Sequence, residues 1–369
     1  MAKVKITGHA SGSGVITVTA PNTSTDRTIT LPDSTDTLIG SATTDALTTR
    51  VNAGGRRNII INGGMQLAQR GTSTTSGAQA YLLDRFYTYQ FNASGRTVSQ
   101  STDSPDEFSN SLKVIRAANN TATTSVYLSQ PIESKNCVGT AGKKITFSFW
   151  AKKGANWSAS NGTFPVTVTS GTGTDQSFMA GVTGGVTLIN SSATLTTSWA
   201  KYSFTSSAIV PTNSTQLIYQ TIAGWAGTAG ADDSFYITGI QLEIGETATD
   251  FEHRGYGEEL ALCQRYYERY SAHASIETLI GVAATLTTSR ALLNFKYLVP
   301  KRTAPTFSTD DVTDFECLHG SWVAATNTTS IANTLTARID MSGMSSLLAK
   351  GAAETRIEGG GWFAFDAEL

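Results

Sequence analysis

From Asn58 onward the sequence repeats short runs of β-branched and aromatic residues, separated by residues that favour turns. Runs of this length and composition predict strands rather than helices. A series of seven or more short strands joined by turns is typical of a β-sandwich. The runs are Asn58–Asn62, Leu112–Ile115, Ile145–Ala151, Val166–Thr169, Tyr202–Thr205, Gln216–Tyr219 and Phe235–Leu242. The sequence therefore predicts an all-β fold.

One of these runs also predicts its own place in the sheet. Strict alternation puts Ile145, Phe147 and Phe149 on one face of the strand and Trp150 on the other. Large aromatic residues on both faces indicate that neither face is freely exposed to water. We therefore predict an interior strand.

The first eighty residues lack the side chains that usually anchor a core, since the first aromatic residue is Tyr81. Two strand-like runs, Val15–Ala20 and Arg27–Leu31, are each followed by a proline turn. A two-stranded ribbon is only marginally stable in water. Residues 1–57 are therefore predicted to form a small β arm and linker that pairs with something larger, either copies of itself or another protein.

A single helix is predicted over Glu258–Tyr270, where acidic residues open the run and basic residues lie near its end, as the helix dipole favours. An apolar stripe along it consists of Leu260, Cys263, Tyr267 and Tyr270. A helix this short must pack on something. Two alternatives stay open: the stripe packs on the helix's own domain, or it lies at a subunit interface around a threefold axis.

After Tyr270 the sequence returns to strand-like text. Leu292–Pro300 reads as a strand, and the aromatic run Gly361–Leu369 reads as a strand held inside a fold. Residues 271–369 are therefore predicted to form a second, smaller β domain.

Composition and charge argue against several functions. The chain has 27 basic and 29 acidic residues without a long run of either sign, so no basic stripe is available for nucleic acid. No apolar run is long enough to span a membrane, and no signal-peptide core is evident, so we expect a cytosolic protein or one released in a particle. Cys137, Cys263 and Cys317 are too scattered for a disulfide framework or a zinc site, and we expect buried thiols.

Motifs for chemistry are also missing from the sequence. The four histidines are scattered, and no nucleophile elbow, phosphate-binding loop or dinucleotide fingerprint occurs, so we predict no metal, no cofactor and no enzyme. A carboxylate pair of the glycosidase kind stays open as an alternative. Asp250–Arg254 is interpreted as a solvated turn or a polar bridge to the helix. Asp232 and Asp233 are interpreted as a turn, with a Ca²⁺ ligand pair as the alternative.

Three tryptophans are candidate glycan-binding residues. Trp157, Trp225 and Trp322 lie in sequence rich in Gly, Ser and Thr, where an exposed ring can stack on the apolar face of a sugar. The alternative for each is a place in the core.

Several segments resemble tail-fibre and receptor-binding proteins of tailed bacteriophages, especially of marine and cyanobacterial phages. Thr28–Leu38 is similar to the short N-terminal repeat of such fibres. Asn58–Met65 followed by Asp84–Phe86 looks like the opening of a jelly-roll module related to carbohydrate-binding modules. Later segments resemble the remaining strands, the helix and the ending of the family: Ser148–Lys152, Trp199–Phe204, Ile240–Gly245, Tyr256–Tyr267 and Phe365–Leu369.

The resemblance implies a homotrimer in the virion tail. Its arm (1–57) would attach to a tail or baseplate protein, followed by a jelly-roll sandwich (58–255), a helix (256–270) and a small C-terminal β domain (271–369). The low charged fraction of 15% suits recognition of host surface polysaccharide by hydrogen bonding and stacking. Two alternatives are a structural connector without a receptor and a polysaccharide depolymerase.

Overall fold

The structure is a computed structural model that describes residues 57–75, 80–90, 95–177 and 181–369. All described residues belong to one compact unit. The predicted N-terminal arm, with its two strands, lies outside the described residues. In the part of the chain that is described, the fold is almost entirely β, as the sequence predicts. No helix in that part has the length and apolar character to cross a membrane.

Twelve strands between Ser73 and Ile244 form two six-stranded antiparallel sheets. They are β1 (Ser73–Thr74), β2 (Ala80–Tyr81), β3 (Tyr87–Gln90), β4 (Arg96–Ser101), β5 (Ser111–Arg116), β6 (Val126–Ile132), β7 (Ile145–Lys153), β8 (Phe164–Gly171), β9 (Val186–Ala193), β10 (Ala200–Thr205), β11 (Gln216–Ala223) and β12 (Asp233–Ile244). A short helix, α1 (Ser134–Cys137), follows β6.

The order of these strands is that of a jelly roll. The first sheet runs β1–β4–β5–β12–β7–β10 and the second runs β2–β3–β6–β11–β8–β9. From β5 to β12 the chain changes sheet between all successive strands except β8 and β9. The predicted jelly-roll sandwich is therefore confirmed.

The core lies between the two sheets and is built by alternate residues of each strand. Phe147 and Phe149 of β7 are fully buried, and the ring of Phe147 stacks on Tyr219 of the second sheet at 4.6 Å between centroids. Burying one such side chain stabilises a fold by about 1.5–3 kcal/mol. Because β7 pairs with β10 on one side and β12 on the other, the prediction of an interior strand is confirmed.

A β-bulge in β12 bends the first sheet. The register shifts between Thr238 and Gln241, and Gly239 between them has φ +59°. A Cβ at this position would lie 2.5 Å from Phe108 Cζ and 2.9 Å from Trp150 Cδ1. Only glycine fits both the backbone angle and the space.

The predicted strand at Asn58–Asn62 is wrong. This segment is buried but irregular, and Asn62 has φ +59°. Its asparagine side chains bond to backbone groups in place of a regular ladder: Asn58 Nδ2 donates to the carbonyl of Ile240 at 3.0 Å, and Asn62 Nδ2 donates to that of Leu67 at 2.9 Å. Asparagine side chains that compete for backbone groups in this way oppose a regular strand.

Ten further strands form a second body of two antiparallel sheets. They are β13 (Tyr267–Ser271), β14 (Thr278–Thr287), β15 (Arg290–Lys296), β16 (Thr306–Thr309), β17 (Phe315–His319), β18 (Ser321–Ala324), β19 (Asn327–Ala332), β20 (Thr336–Ser342), β21 (Gly351–Ile357) and β22 (Trp362–Asp366). The third sheet runs β13–β22–β16, and the fourth runs β18–β17–β21–β14–β15–β20–β19. The aromatic terminal run is thus a central strand, as predicted.

The helix is shorter than predicted. Helix α2 spans Tyr256–Gln264, and the chain re-enters a sheet at Tyr267. Aromatic residues have modest helix propensity and favour strands, where they pack across to a neighbour. Here Tyr270 stacks on Phe363 of β22 at 5.1 Å between centroids. Packing against an aromatic strand therefore replaces the last turn of the predicted helix.

The two bodies share a charged junction. The buried guanidinium of Arg85 pairs with Glu368, lies 3.6 Å from the centroid of the Tyr266 ring and donates to the carbonyl of Pro131 at 2.6 Å. Close by, Arg265 pairs with Glu133 at 2.6 Å. The jelly roll and the end of the chain are therefore joined through buried, hydrogen-bonded charge.

Candidate ligand-binding face

The three predicted tryptophans are not brought together by the fold. Trp225 is 1% exposed and its ring stacks on Phe235 at 6.0 Å, so its predicted role in glycan stacking is wrong in this conformation. Trp157 is half-buried and packs against the core beside Phe235 at 6.3 Å. Trp322 lies on β18 of the second body, and the guanidinium of Arg356 sits 4.1 Å from its ring centroid.

Two residues of the predicted oligomer interface pack within this chain instead, which is the alternative that the sequence left open. Cys263 is fully buried and Tyr267 is 5% exposed. Leu260 packs beside a small buried cluster around Tyr266, and Tyr270 belongs to β13. The stripe was inferred from a continuous helix, and it does not exist because α2 ends at Gln264.

A row of outward side chains crosses five strands of the second sheet. Tyr87 of β3 lies opposite Ser129 of β6, and Ser129 lies opposite Gln220 of β11. Gln220 in turn lies opposite Thr167 of β8, and Thr167 lies opposite Asn190 of β9. Residues directly opposite in antiparallel strands have Cβ atoms about 4.5–5.5 Å apart. The sheet therefore aligns hydroxyl and amide groups in one continuous line.

Aromatic residues border this row. Tyr89 and Tyr127 are opposite one another in the next row, with ring centroids 6.0 Å apart, and Ile222 lies opposite Tyr127. At the other end, the ring of Tyr81 meets the ring of Tyr87 edge-on at 5.3 Å. We call this surface the tyrosine face, defined by Tyr87, Tyr89, Tyr127, Ser129, Thr167, Asn190 and Gln220.

Two donors on the tyrosine face lack partners. Gln220 is 6% exposed, and its Nε2 has no hydrogen-bond partner among the described residues. The buried hydroxyl of Tyr87, which shares Ser129 as a cross-strand neighbour with Gln220, has none either. An unpaired buried polar group costs about 1–3 kcal/mol. A ligand that brings acceptors to both atoms would recover that cost.

The tyrosine face is electrically neutral. Burial raises the pKa of Tyr87 to about 12, so its hydroxyl keeps the proton at neutral pH. The other six residues that define the face are tyrosine, serine, threonine, asparagine and glutamine. Such a surface offers hydrogen bonds and ring faces without a net charge.

A second aromatic cluster lies on the first sheet and differs from the tyrosine face in that its polar groups bond to one another. The rings of Trp199 and Tyr236 are 6.2 Å apart, and Lys152 Nζ lies 4.8 Å from the Tyr236 centroid. Asp103 accepts from Lys152 at 2.5 Å and from Trp199 Nε1 at 3.1 Å. Because these polar groups satisfy one another, the cluster has no unmet hydrogen-bonding demand, unlike the tyrosine face.

The acidic motifs serve the fold. Arg254 donates to Glu259 of α2 at 3.1 Å, so Asp250–Arg254 includes the polar bridge to the helix that was predicted. Asp233 is buried and pairs with Arg116 at 2.7 Å. Over the described residues, no group of three or more His, Cys, Asp or Glu is placed to hold a metal ion. Cys137, Cys263 and Cys317 are buried free thiols, as expected.

Sequence reasoning missed the tyrosine face because it missed β3 and β6. The alternation Tyr87-Thr88-Tyr89 is a strand signal, but the run is only four residues long. In β6, Pro131 argues against an interior strand because it lacks an N–H group. The structure shows how β6 accommodates the proline. Strand β3 begins opposite Ser129, so Pro131 has no partner in β3, and its carbonyl accepts a hydrogen bond from Arg85.

No protein-family model matches the sequence, and the search of curated proteins finds no match. Among solved structures, the chain is similar to the enzymatically active domain of tailspike protein 4 of bacteriophage CBA120. The identity is 14% over 51% of this chain and 21% of that chain, with a TM-score of 0.33. It is also similar to a carbohydrate-binding module, CBM4, with 18% identity over 50% of this chain and 98% of that chain, and a TM-score of 0.32.

A third similar structure spans both bodies. It is the tandem CBM22-1–CBM22-2 domain of Paenibacillus barcinonensis Xyn10C, with 11% identity over 85% of this chain and 97% of that chain and a TM-score of 0.30. The chain spans about one fifth of the tailspike domain that it resembles. It spans nearly all of the CBM4 module and nearly all of the tandem CBM22-1–CBM22-2 domain.

Proposed function

We propose that this protein binds a neutral glycan on the tyrosine face. The observation that carries the proposal is the unpaired Nε2 of Gln220, buried in the middle of a row of hydroxyl and amide groups and bordered by tyrosine rings. Sugars present hydroxyl oxygens that accept hydrogen bonds and apolar ring faces that stack on aromatic side chains. Both requirements of the face are met by one class of ligand.

Each part of the face would have a separate role. Gln220 and Tyr87 would donate to sugar oxygens, and both donors are held by strands rather than loops, which limits the entropy lost on binding. Tyr89 and Tyr127, half-buried beside the row, would contact the apolar face of a sugar ring. No bond is made or broken, so the proposed role is binding without catalysis.

We further propose that the protein is a tail fibre of a tailed bacteriophage that binds host surface polysaccharide during adsorption. Support comes from the resemblance of its sequence segments to such fibres and from its low charged fraction of 15%. Its N-terminal arm would attach to a tail or baseplate protein, and three copies would act together in the virion tail. Several weak sites on one particle bind a surface firmly but reversibly.

The direct test is binding of the purified protein to an array of neutral and acidic glycans. We expect binding to neutral glycans, lost or reduced at least tenfold in Tyr127→Ala because the stacking ring is removed. The matched control is Tyr256→Ala, which removes an exposed tyrosine of α2 away from the face and should leave binding unchanged. An equal loss of binding in the two variants, or a wild-type protein that binds no glycan, would refute the proposed site.

The same assay separates the alternatives. A structural connector binds neither glycans nor host cells, so an inactive array and inactive cells support that role. A depolymerase releases reducing ends from host polysaccharide over time. The proposed function expects bound polysaccharide that stays intact.

A further inference from the structure

Exposed apolar residues concentrate on the second body. Of the twelve exposed large apolar residues of the described chain, eight lie between Ile276 and Leu348. On β14, Ala283 and Thr285 are buried while the alternate residues Val282, Ala284 and Leu286 face outward. Val282 is 63% exposed and nothing covers it. The fourth sheet thus has an outward apolar surface in its middle.

We call the outward surface of the fourth sheet around β14 the β14 stripe, defined by Leu279, Val282, Ala284 and Leu286. Leu279 is 62% exposed. Ala352 of β21 and Leu292 of β15 lie opposite Ala284 on either side and widen the stripe. Contiguous exposed apolar surface on a folded protein marks an interaction site.

The two flanks of the β14 stripe carry opposite charge. On one side, the exposed Glu354 of β21 lies opposite Val282 and has no ion-pair partner among the described residues. The other acids nearby are occupied, since Glu316 and Glu277 both pair with Arg356. On the other side, Arg338 of β20 and Lys296 of β15 are exposed and form no ion pair among the described residues, since the nearby Asp340 pairs with Arg290.

The basic flank is also concave. A cavity of about 390 Å³ is lined by Asn294, Ile331, Asn333, Thr336 and Arg338, among others. Arginine and asparagine side chains donate hydrogen bonds that suit a carboxylate. The acid of this flank, Asp340, already pairs with Arg290, so the socket at Arg338 is open to another carboxylate. The opposite flank presents Glu354, which has no ion-pair partner among the described residues.

We propose that the β14 stripe is the interface between copies of this chain. One flank carries an acid and the other a basic socket. Two copies bring acid against socket when they are related by a rotation axis parallel to β14, which is a cyclic arrangement. Glu354 of one copy then enters the Arg338 socket of the next, and the stripes pack around the axis. A twofold axis across the strands would instead place acid against acid. The proposal does not depend on glycan binding.

The first test is the solution mass by light scattering. We expect a whole multiple, two or three, of 39.0 kDa for the full chain. Glu354→Arg and Arg338→Glu should each weaken assembly at least tenfold, and the double charge swap should restore it because each copy then offers the reversed pair. Leu298→Asp is the control: this residue is 69% exposed on the second body but outside the stripe, and its variant should assemble normally.

The second test reports the contact itself. Glu354→Cys and Arg338→Cys in one chain should be joined between copies by a short bis-maleimide, whereas the variant with Leu298→Cys and Glu354→Cys should not. The natural thiols are buried and give a low background. A full chain that stays at 39.0 kDa, or a charge swap that does not restore assembly, would overturn the proposal. Val282→Asp should lose cross-linking yet still bind glycan, which separates this proposal from the proposed function.

Discussion

The tyrosine face and the β14 stripe are both outward surfaces of antiparallel sheets, but they make opposite demands on a partner. The tyrosine face is neutral and contains buried donors without acceptors. The β14 stripe is apolar, well exposed and bordered by unpaired charges of opposite sign. A ligand rich in hydroxyl groups would meet the first demand, and a protein surface would meet the second. On this proposal, outward residues of two sheets give one chain two kinds of recognition.

The largest expected effect comes from separating the two regions at their junction. Arg85→Ala should lower the free energy of unfolding by about 3 kcal/mol, because the buried Glu368 keeps only its longer contact with Arg70 at 3.4 Å. Urea unfolding measures this change. Arg290→Ala, which breaks the exposed pair with Asp340, is the control and should leave the unfolding midpoint unchanged. Similar midpoints for both variants would contradict the role given to the junction.

A smaller but more specific effect is expected at Gln220. Gln220→Met removes the unpaired amide and keeps a side chain of similar length, so the protein should become more stable by about 1 kcal/mol. Affinity for the glycan should fall about tenfold, or ~1.4 kcal/mol, because a donor is lost. Thermal unfolding and titration calorimetry measure the two quantities. A variant that is less stable and binds normally would show that Gln220 is structural.

The pH dependence of stability reports the burial of the tyrosine face. The pKa of Tyr87 is about 12 in the folded protein and near 10 in the unfolded chain. Its contribution to stability is therefore fully present below pH 10 and is lost as pH rises through 12. Between pH 9 and pH 11, the urea midpoint of the wild type should fall more than that of Tyr87→Phe. Parallel declines in the two proteins would place the Tyr87 hydroxyl in water.

The smallest expected effect is a difference in salt dependence between assembly through the β14 stripe and glycan binding on the tyrosine face. Raising sodium chloride screens the Glu354–Arg338 contact between copies, so assembly should weaken by a few-fold. Glycan affinity per site should not change, because no residue of the tyrosine face is charged. Light scattering and calorimetry at low and high salt measure the two responses. Glycan binding that weakens with salt would indicate a charged ligand and a different site.

The sequence predicts what depends on alternation and misses what depends on contacts. Alternation alone puts Phe147 and Phe149 on the same face of an interior strand, and both lie in the core on that face. The helix was drawn too long because its last tyrosines also suit a strand, and only Phe363, almost a hundred residues away, decides between the two.

Candidate sites are harder to predict for the same reason. Trp225 and Tyr127 are both aromatic residues in polar segments of the sequence. Trp225 fills the core, whereas Tyr127 faces outward. Tyr127 faces outward because of its register with β3 and β11, whereas Trp225 lies just beyond the end of β11, where it bridges to Ala159. An unpaired donor such as Gln220 Nε2 has no sequence signal, because it is defined by the partners that it lacks.

The most direct test of the proposed binding face is a titration with a glycan selected on the array, monitored by nuclear magnetic resonance. The signal to observe is the side-chain amide resonance of Gln220. We predict that this resonance shifts as the glycan binds, whereas that of Gln100, whose Nε2 already donates to the carbonyl of Met65 at 2.7 Å, stays in place. Binding with an unchanged Gln220 resonance, and with shifts clustered around Trp199 and Tyr236 instead, would contradict the account.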